Sequence, residues 1–144
     1  MNGRPLHVAL VTPAYPPLPG GGERYVGALA RGLAASGARV TVVTSAATAE
    51  VDFWNGTDAR SDTEEAGVRV VRLPIMAASG GRAGLMRRRK LMVLVSAMPG
   101  DQSSMLADMA HRFPAIDGLD ETLDGLGQID IVHGFNVSWE HSMV

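Results

Sequence analysis

Gly20, Gly21 and Gly22 stand directly ahead of a stretch whose apolar residues repeat with helical spacing. Glycine there lets backbone N–H groups approach an anion, and a helix start adds partial positive charge. A tight turn needing positive φ explains the same residues, and both readings stand at this level. Familiar phosphate loops fail on inspection. A Walker A loop ends in Gly-Lys-Ser/Thr, yet Lys90 is the only lysine. A G-x-G-x-x-G pattern begun at Gly20 meets Tyr25 at its third glycine, and Thr44 and Ser45 stand where a dinucleotide site places Asp or Glu. What survives is an anion-friendly loop without its own cation, suited to a diphosphate or phosphorylated ligand shared with another element. His133, at the end of a short apolar run, reads either as a site histidine or as a strand-end histidine satisfied by backbone. Cys 0 excludes disulfides, thiolate metal sites and cysteine nucleophiles.

The elements that must carry these residues alternate in type. His7–Thr12 is a short β-branched run closed by a proline-rich loop, and so a buried strand. Four prolines and three glycines keep residues 13–22 irregular. Val26, Leu29, Ala30, Leu33 and Ala34 then mark one face of a helix that Gly37 stops. Arg39–Ser45 and Val68–Leu73 are further strands, and residues 129–133 a fourth. Residues 46–66 read as a long surface loop with Phe53 and Trp54 tucked beneath it. Residues 80–98 read as a helix that is polar first and buried later. Asp101 caps another helix running to about Phe113, residues 115–128 are helical or irregular, and a further helix begins at Val137.

This alternation predicts an α/β, Rossmann-like, doubly wound parallel sheet of about four strands in the order 3-2-1-4. Strands 1 and 4 then lie side by side, and residues 13–22 and 133–138 converge on the switch-point crevice where such sheets bind ligands. Strand 4 would leave Ile129, Ile131 and Val132 on an uncovered edge, so further strands are expected after Val144. A length of 144 residues, 46% hydrophobic and 19% charged, suits one globular domain. The net charge of −2 offers nucleic acid no general attraction. The early prolines preclude a signal-peptide core, and no run approaches the ~20 apolar residues of a membrane span, so a cytoplasmic location is expected.

The stretch VALVTPAYPPLPGGGERYVGALARGLAASGARVTVVTS resembles the opening of glycosyltransferase family 4, the group 1 enzymes of the GT-B fold. IDIVHGFN is similar to that family's later Asp-Val-Val-His-x-His strand, and the two matches cover roughly the first 45 and last 15 residues. The resemblance implies the N-terminal, acceptor-side half of a GT-B enzyme over residues 1–144, truncated and without its C-terminal donor-binding domain. It implies sugar transfer from a nucleotide-sugar donor to an acceptor hydroxyl, with no cofactor and no metal. The acceptor would be a small molecule, a glycan or a lipid-linked molecule. Carried onto this sequence, Gly20, Gly21 and Gly22 form the phosphate-facing loop, Glu23 lies beside it, and Tyr15 stands on the acceptor side. The family's second histidine is replaced here by Phe135, leaving His133 as the catalytic candidate with Asn136 as a nearby polar group. The chain alone is then expected to be inactive.

Relatives acting on lipid-linked acceptors dock on anionic membranes through basic, apolar surfaces. Arg87, Arg88, Arg89 and Lys90 beside residues 91–95 fit such a peripheral contact at the inner membrane face. More often such a cluster is the solvated face of a helix whose other side is core. The competing functional reading is a stand-alone α/β module that binds an anionic ligand and performs no chemistry.

Overall fold

A computed structural model describes residues 4–110 and 115–135. Five strands form one sheet: β1 (His7–Thr12), β2 (Arg39–Ser45), β3 (Ser61–Glu65), β4 (Val68–Leu73) and β5 (Ile131–Gly134), in the order β3-β4-β2-β1-β5. All neighbours are parallel except β3 and β4. The expected 3-2-1-4 order is therefore present, with β1 and β5 adjacent.

Helix α1 (Gly21–Ala35) crosses from β1 to β2. Its Val26 and Ala30 meet Val8, Leu10, Val40, Val42, Val68 and Val70 on one face of the sheet. The period of two along each strand sends Ala9, Val43, Val71 and Leu73 to the opposite face, under Leu126. Each fully buried Val or Leu contributes roughly 1.5–3 kcal/mol, so these layers hold the sheet. The helix ends as predicted at Gly37, whose φ of +92° lets Gly37 N donate to Ala34 O and Ala38 N to Leu33 O.

Buried His7 ties down the amino end of the sheet. Its Nδ1 donates to Gln128 O at 3.0 Å, so Nε2 accepts from the Thr41 hydroxyl, also at 3.0 Å. The His7 amide donates to the Asp130 carboxylate at 2.8 Å, which fixes the entry to β5.

Three expectations need correction. Residues 46–66 are not one long loop: they contain α2 (Asp52–Asn55), with Phe53 buried as expected, and the antiparallel strand β3. The sequence SDTEE has neither apolar alternation nor β-branched richness, so its pairing comes from its partner. Ala66 and Gly67 both take left-handed φ, the geometry of a tight hairpin turn. Ion pairs Arg69–Asp62 and Arg72–Glu65, each 2.7 Å, then join β3 to β4. Secondly, the fourth predicted strand is β5 and lies two residues later at its start. Ile131 and Val132 are exposed on it, whereas Ile129 folds under the Leu126 cluster.

Thirdly, α3 (Gly81–Ser96) forms, but its second half is not buried. Val95 is covered, while Leu91, Val93 and Leu94 stand exposed: Leu85 and Met86 anchor the helix in a cluster with Ala14, Leu18, Ala47, Phe53 and Ile75, and α2 and α4 (Ser103–Ala110) pack on it. Asp101 Oδ1 accepts from Ser103 N at 2.9 Å, the expected cap of α4. Helix α5 (Leu119–Gly125) packs toward β2. Phe113 and the helix expected from Val137 lie outside the described residues.

Candidate functional site

Four of the seven residues 13–19 in the loop after β1 cannot donate from the backbone. Pro13, Pro16, Pro17 and Pro19 have no N–H, so the loop must be held through its carbonyls. Four consecutive carbonyls are satisfied in turn. Ser45 Oγ donates to Pro13 O at 2.5 Å, Thr12 Oγ1 to Ala14 O at 2.9 Å, Leu18 N to Tyr15 O at 3.2 Å, and Arg72 Nη2 to Pro16 O at 2.9 Å. The side-chain donors stand at or near the carboxyl ends of β2, β1 and β4. The Pro16–Pro17 peptide is cis.

Tyr15 is buried in the core beneath this loop, with the Arg72 guanidinium 5.9 Å from its ring centre. Burial pushes its phenol above the ordinary tyrosine value, the Glu65 carboxylate adds to the rise, and Arg31 and Arg72 oppose it. What Tyr15 offers the crevice here is support under the loop, with its ring in the core rather than at the surface. Thr44 lies in register between Thr12 and Arg72. Its hydroxyl is the buried side-chain polar atom without a hydrogen-bond partner among the described residues.

The loop delivers Gly20 to the start of α1. No side chain caps this terminus, and Arg24 N donates to Gly20 O at 3.3 Å. The amides of Gly21, Gly22 and Glu23 precede that bond, at the positive end of the helix. Glu23 is 8% exposed, and its carboxylate folds back so closely that a Cβ on Gly20 would overlap it. A Cβ on Gly21 would meet nothing within 4 Å, so the space over the first helical residue is open.

Across the crevice, β5 runs beside β1 with His133 opposite Leu10. His133 is exposed, and its ring stacks on Phe135 with centroids 4.2 Å apart and 14° between planes. Phe135 in turn meets exposed Tyr25 of α1 edge-on at 6.2 Å. The fold thus joins the helix carrying the glycine loop to the end of β5 through three rings. Asn136 lies outside the described residues. Among the described residues, no group of three or more His, Asp or Glu side chains is placed to hold a metal ion.

This geometry is an uncapped helix start beside a histidine-bearing strand end, at the switch point of a parallel sheet. The sequence profile of a glycosyl transferase 4-like domain matches residues 20–144, from the first glycine of that loop onward. The chain belongs to the glycosyl transferase 4-like family. No curated protein and no solved structure matches it at significant similarity. In this glycosyl transferase 4-like domain the mostly parallel sheet and its flanking helices form a Rossmann-like half of a GT-B fold.

Sequence reasoning passed over Arg72 and Tyr25. The signal for Arg72 was present, since the period of two in VRVVRL puts it on the same face as Val68 and Val70. A charge on a core face needs a partner, and Glu65 and Pro16 O supply it. Tyr25 carried no such signal, because a lone exposed tyrosine on a helix is ordinary.

Proposed function

We propose that this chain supplies the acceptor-side half of an enzyme that transfers a sugar from a nucleotide-sugar donor to an acceptor hydroxyl. The observation that carries the reading is the uncapped start of α1, open above Gly21, in a helix whose Tyr25 meets Phe135 at the end of the β5 segment that bears His133. In this reading the amides of Gly21 and Gly22 hold the donor diphosphate or a phosphorylated acceptor, with Gly20 and Glu23 shaping the turn. His133 orients the acceptor hydroxyl and takes its proton, and Asn136, three residues further along the sequence, is the candidate for a second polar contact. Tyr15 supports the loop from beneath. A donor-binding domain contributes nucleobase recognition, and the transfer uses neither cofactor nor metal.

The test is transfer of labelled sugar from a panel of nucleotide sugars to glycan and lipid-linked acceptors, using the intact protein together with its donor-binding domain. Expected is turnover that His133→Ala lowers by about 10²–10⁴-fold. Binding of pyrophosphate without turnover on any donor would favour the competing reading, a binding module without chemistry.

A second element of the proposal is peripheral contact with the inner face of an anionic membrane. Among the described residues no helix is long and apolar enough to cross a membrane. Yet Leu91, Val93, Leu94 and Met98 are each more than half exposed, and Met105 of α4 is 41% exposed beside them. A groove of about 650 Å³ lined by Met86, Arg89, Lys90, Val93 and Leu94 opens here. Helix α3 carries Arg82, Arg87, Arg88, Arg89 and Lys90 and no acid, within a chain of net charge −2. Apolar surface mixed with clustered positive charge suits anionic lipid, at about 1 kcal/mol per basic residue near the surface. Sedimentation with phosphatidylglycerol vesicles should carry the protein down at low salt, and Val93→Ser with Leu94→Ser should abolish this. No sedimentation of the unaltered protein would end this element of the proposal.

A further inference from the structure

We infer that Arg72 is a positioning residue of the crevice: it locks the proline loop onto the sheet and so sets where the first amides of α1 point. The loop is hydrogen-bond-poor by composition, and its four satisfied carbonyls are its anchorage. Of the three side-chain donors, Thr12 and Ser45 are short hydroxyls at the ends of β1 and β2. Each holds a carbonyl within the first two loop residues. Arg72 reaches across from β4 to Pro16, the anchor nearest the glycines.

Its planar fork does two things at once. Nη2 donates to Pro16 O at 2.9 Å while Nη1 donates to Glu65 Oε1 at 2.7 Å, and the same group lies over the Tyr15 ring. The side chain is only 18% exposed, so the ion pair with Glu65 offsets the cost of placing a guanidinium there. Strand β3 thereby acquires a purpose that its polar sequence does not suggest: its last residue holds the arginine that holds the loop. Beyond Pro16 the chain has buried Leu18 as its next fixed point before Gly20. Release at Pro16 would leave Pro17–Gly20 swinging on Leu18, and the start of α1 with it.

The consequence for ligand binding rests on the proposed glycosyl-transfer reading, but the geometry is testable without any ligand. Amide hydrogen exchange compares the intact chain with Arg72→Gln. The amides of Leu18, bonded to Tyr15 O, and Arg24, bonded to Gly20 O, report on the loop and the helix start. Expected is a rise of about tenfold or more in exchange at these two, with the β1 and β2 amides unchanged. Unchanged exchange at Leu18 and Arg24 would overturn the inference. A uniform rise through β1 and β2 would overturn it too, because that is general destabilisation.

Should Arg72→Gln fail to fold, Glu65→Gln removes the ion pair and leaves the arginine in place. The same local pattern at smaller amplitude supports the inference, and a uniform one refutes it. Arg72→Lys separates charge from geometry. A lysine keeps the charge but has no planar fork to span Pro16 O and Glu65, so the loosening should persist; full restoration by lysine would refute the fork. Failure of the transfer assay alongside the local exchange pattern would count against the glycosyl-transfer reading and leave Arg72's role standing.

Discussion

Replacing Gly20 by alanine tests how the glycine loop and Glu23 share one space. At Gly20 φ is 166°, extended backbone that alanine adopts without strain, so the effect must come from what the new Cβ touches. It would overlap the Glu23 carboxylate and force it outward. Displacement loses the favourable position of an acid at a helix start, worth 0.3–1 kcal/mol at the surface and up to about 2 when partly buried. Glu23 is 8% exposed, so the upper half of that range applies. Alanine is also a poorer N-cap than glycine, by about 0.5–1 kcal/mol. Gly20→Ala should then cost about 1.5–3 kcal/mol. In a Glu23→Ala background the overlap is gone and only the cap term, about 0.5–1 kcal/mol, remains. Urea unfolding of the four chains, analysed by linear extrapolation with unchanged slopes, yields the coupling energy. A coupling near 1–2 kcal/mol is expected. One below about 0.3 kcal/mol would mean that the two sites act independently, and the carboxylate would not occupy this space.

Thr44→Val should stabilise the fold by about 1 kcal/mol, because it replaces a buried hydroxyl without a partner by a methyl of the same shape. A loss of stability on urea unfolding would show that the hydroxyl is satisfied. Gly56 has φ of +80°, and a Cβ there would meet Ala77 N at 2.7 Å and Ile75 O at 2.8 Å; Gly37 has φ of +92° and open space. Gly37→Ala should cost about 1–2 kcal/mol for conformation alone, and Gly56→Ala at least about 1 kcal/mol more for the backbone collision; equal losses would refute the contact. Acid should loosen β3 early. Arg69 holds the Asp62 carboxyl below its ordinary value by hydrogen bonding, and Arg72 does the same for Glu65. Stability from a depressed carboxyl is present above the unfolded value and is lost as pH falls through the folded one. Protection of the β3–β4 amides, relative to their intrinsic exchange at each pH, should therefore fall as pH drops below about 4, ahead of β1 and β2, and simultaneous loss would contradict it.

Much of the sheet was legible because its strands announce themselves. HVALVT, RVTVVTS and VRVVRL are β-branched runs buried on both faces, and the helix between the first two follows a 3.6-residue period to a glycine stop. The glycine loop was legible for the same reason, since a break of prolines and glycines between strand and helix has few structural uses. Strand β3 was not, because SDTEE forms by pairing with β4 across a turn and two ion pairs, a nonlocal cause. The second half of α3 was misread because an apolar helix predicts burial only when something lies over it.

By itself the sequence determined the order of the four parallel strands β4-β2-β1-β5, the adjacency of β1 and β5, and the family, since periodicity and short-range motifs record backbone preference and local chemistry. Only the tertiary structure decided which groups share the crevice. Arg72 meets Pro16 and Glu65 from separate elements, and Tyr25 meets Phe135 from opposite ends of the described chain. Side-chain contacts of that kind depend on how strands stack in space, and no spacing along the chain encodes them.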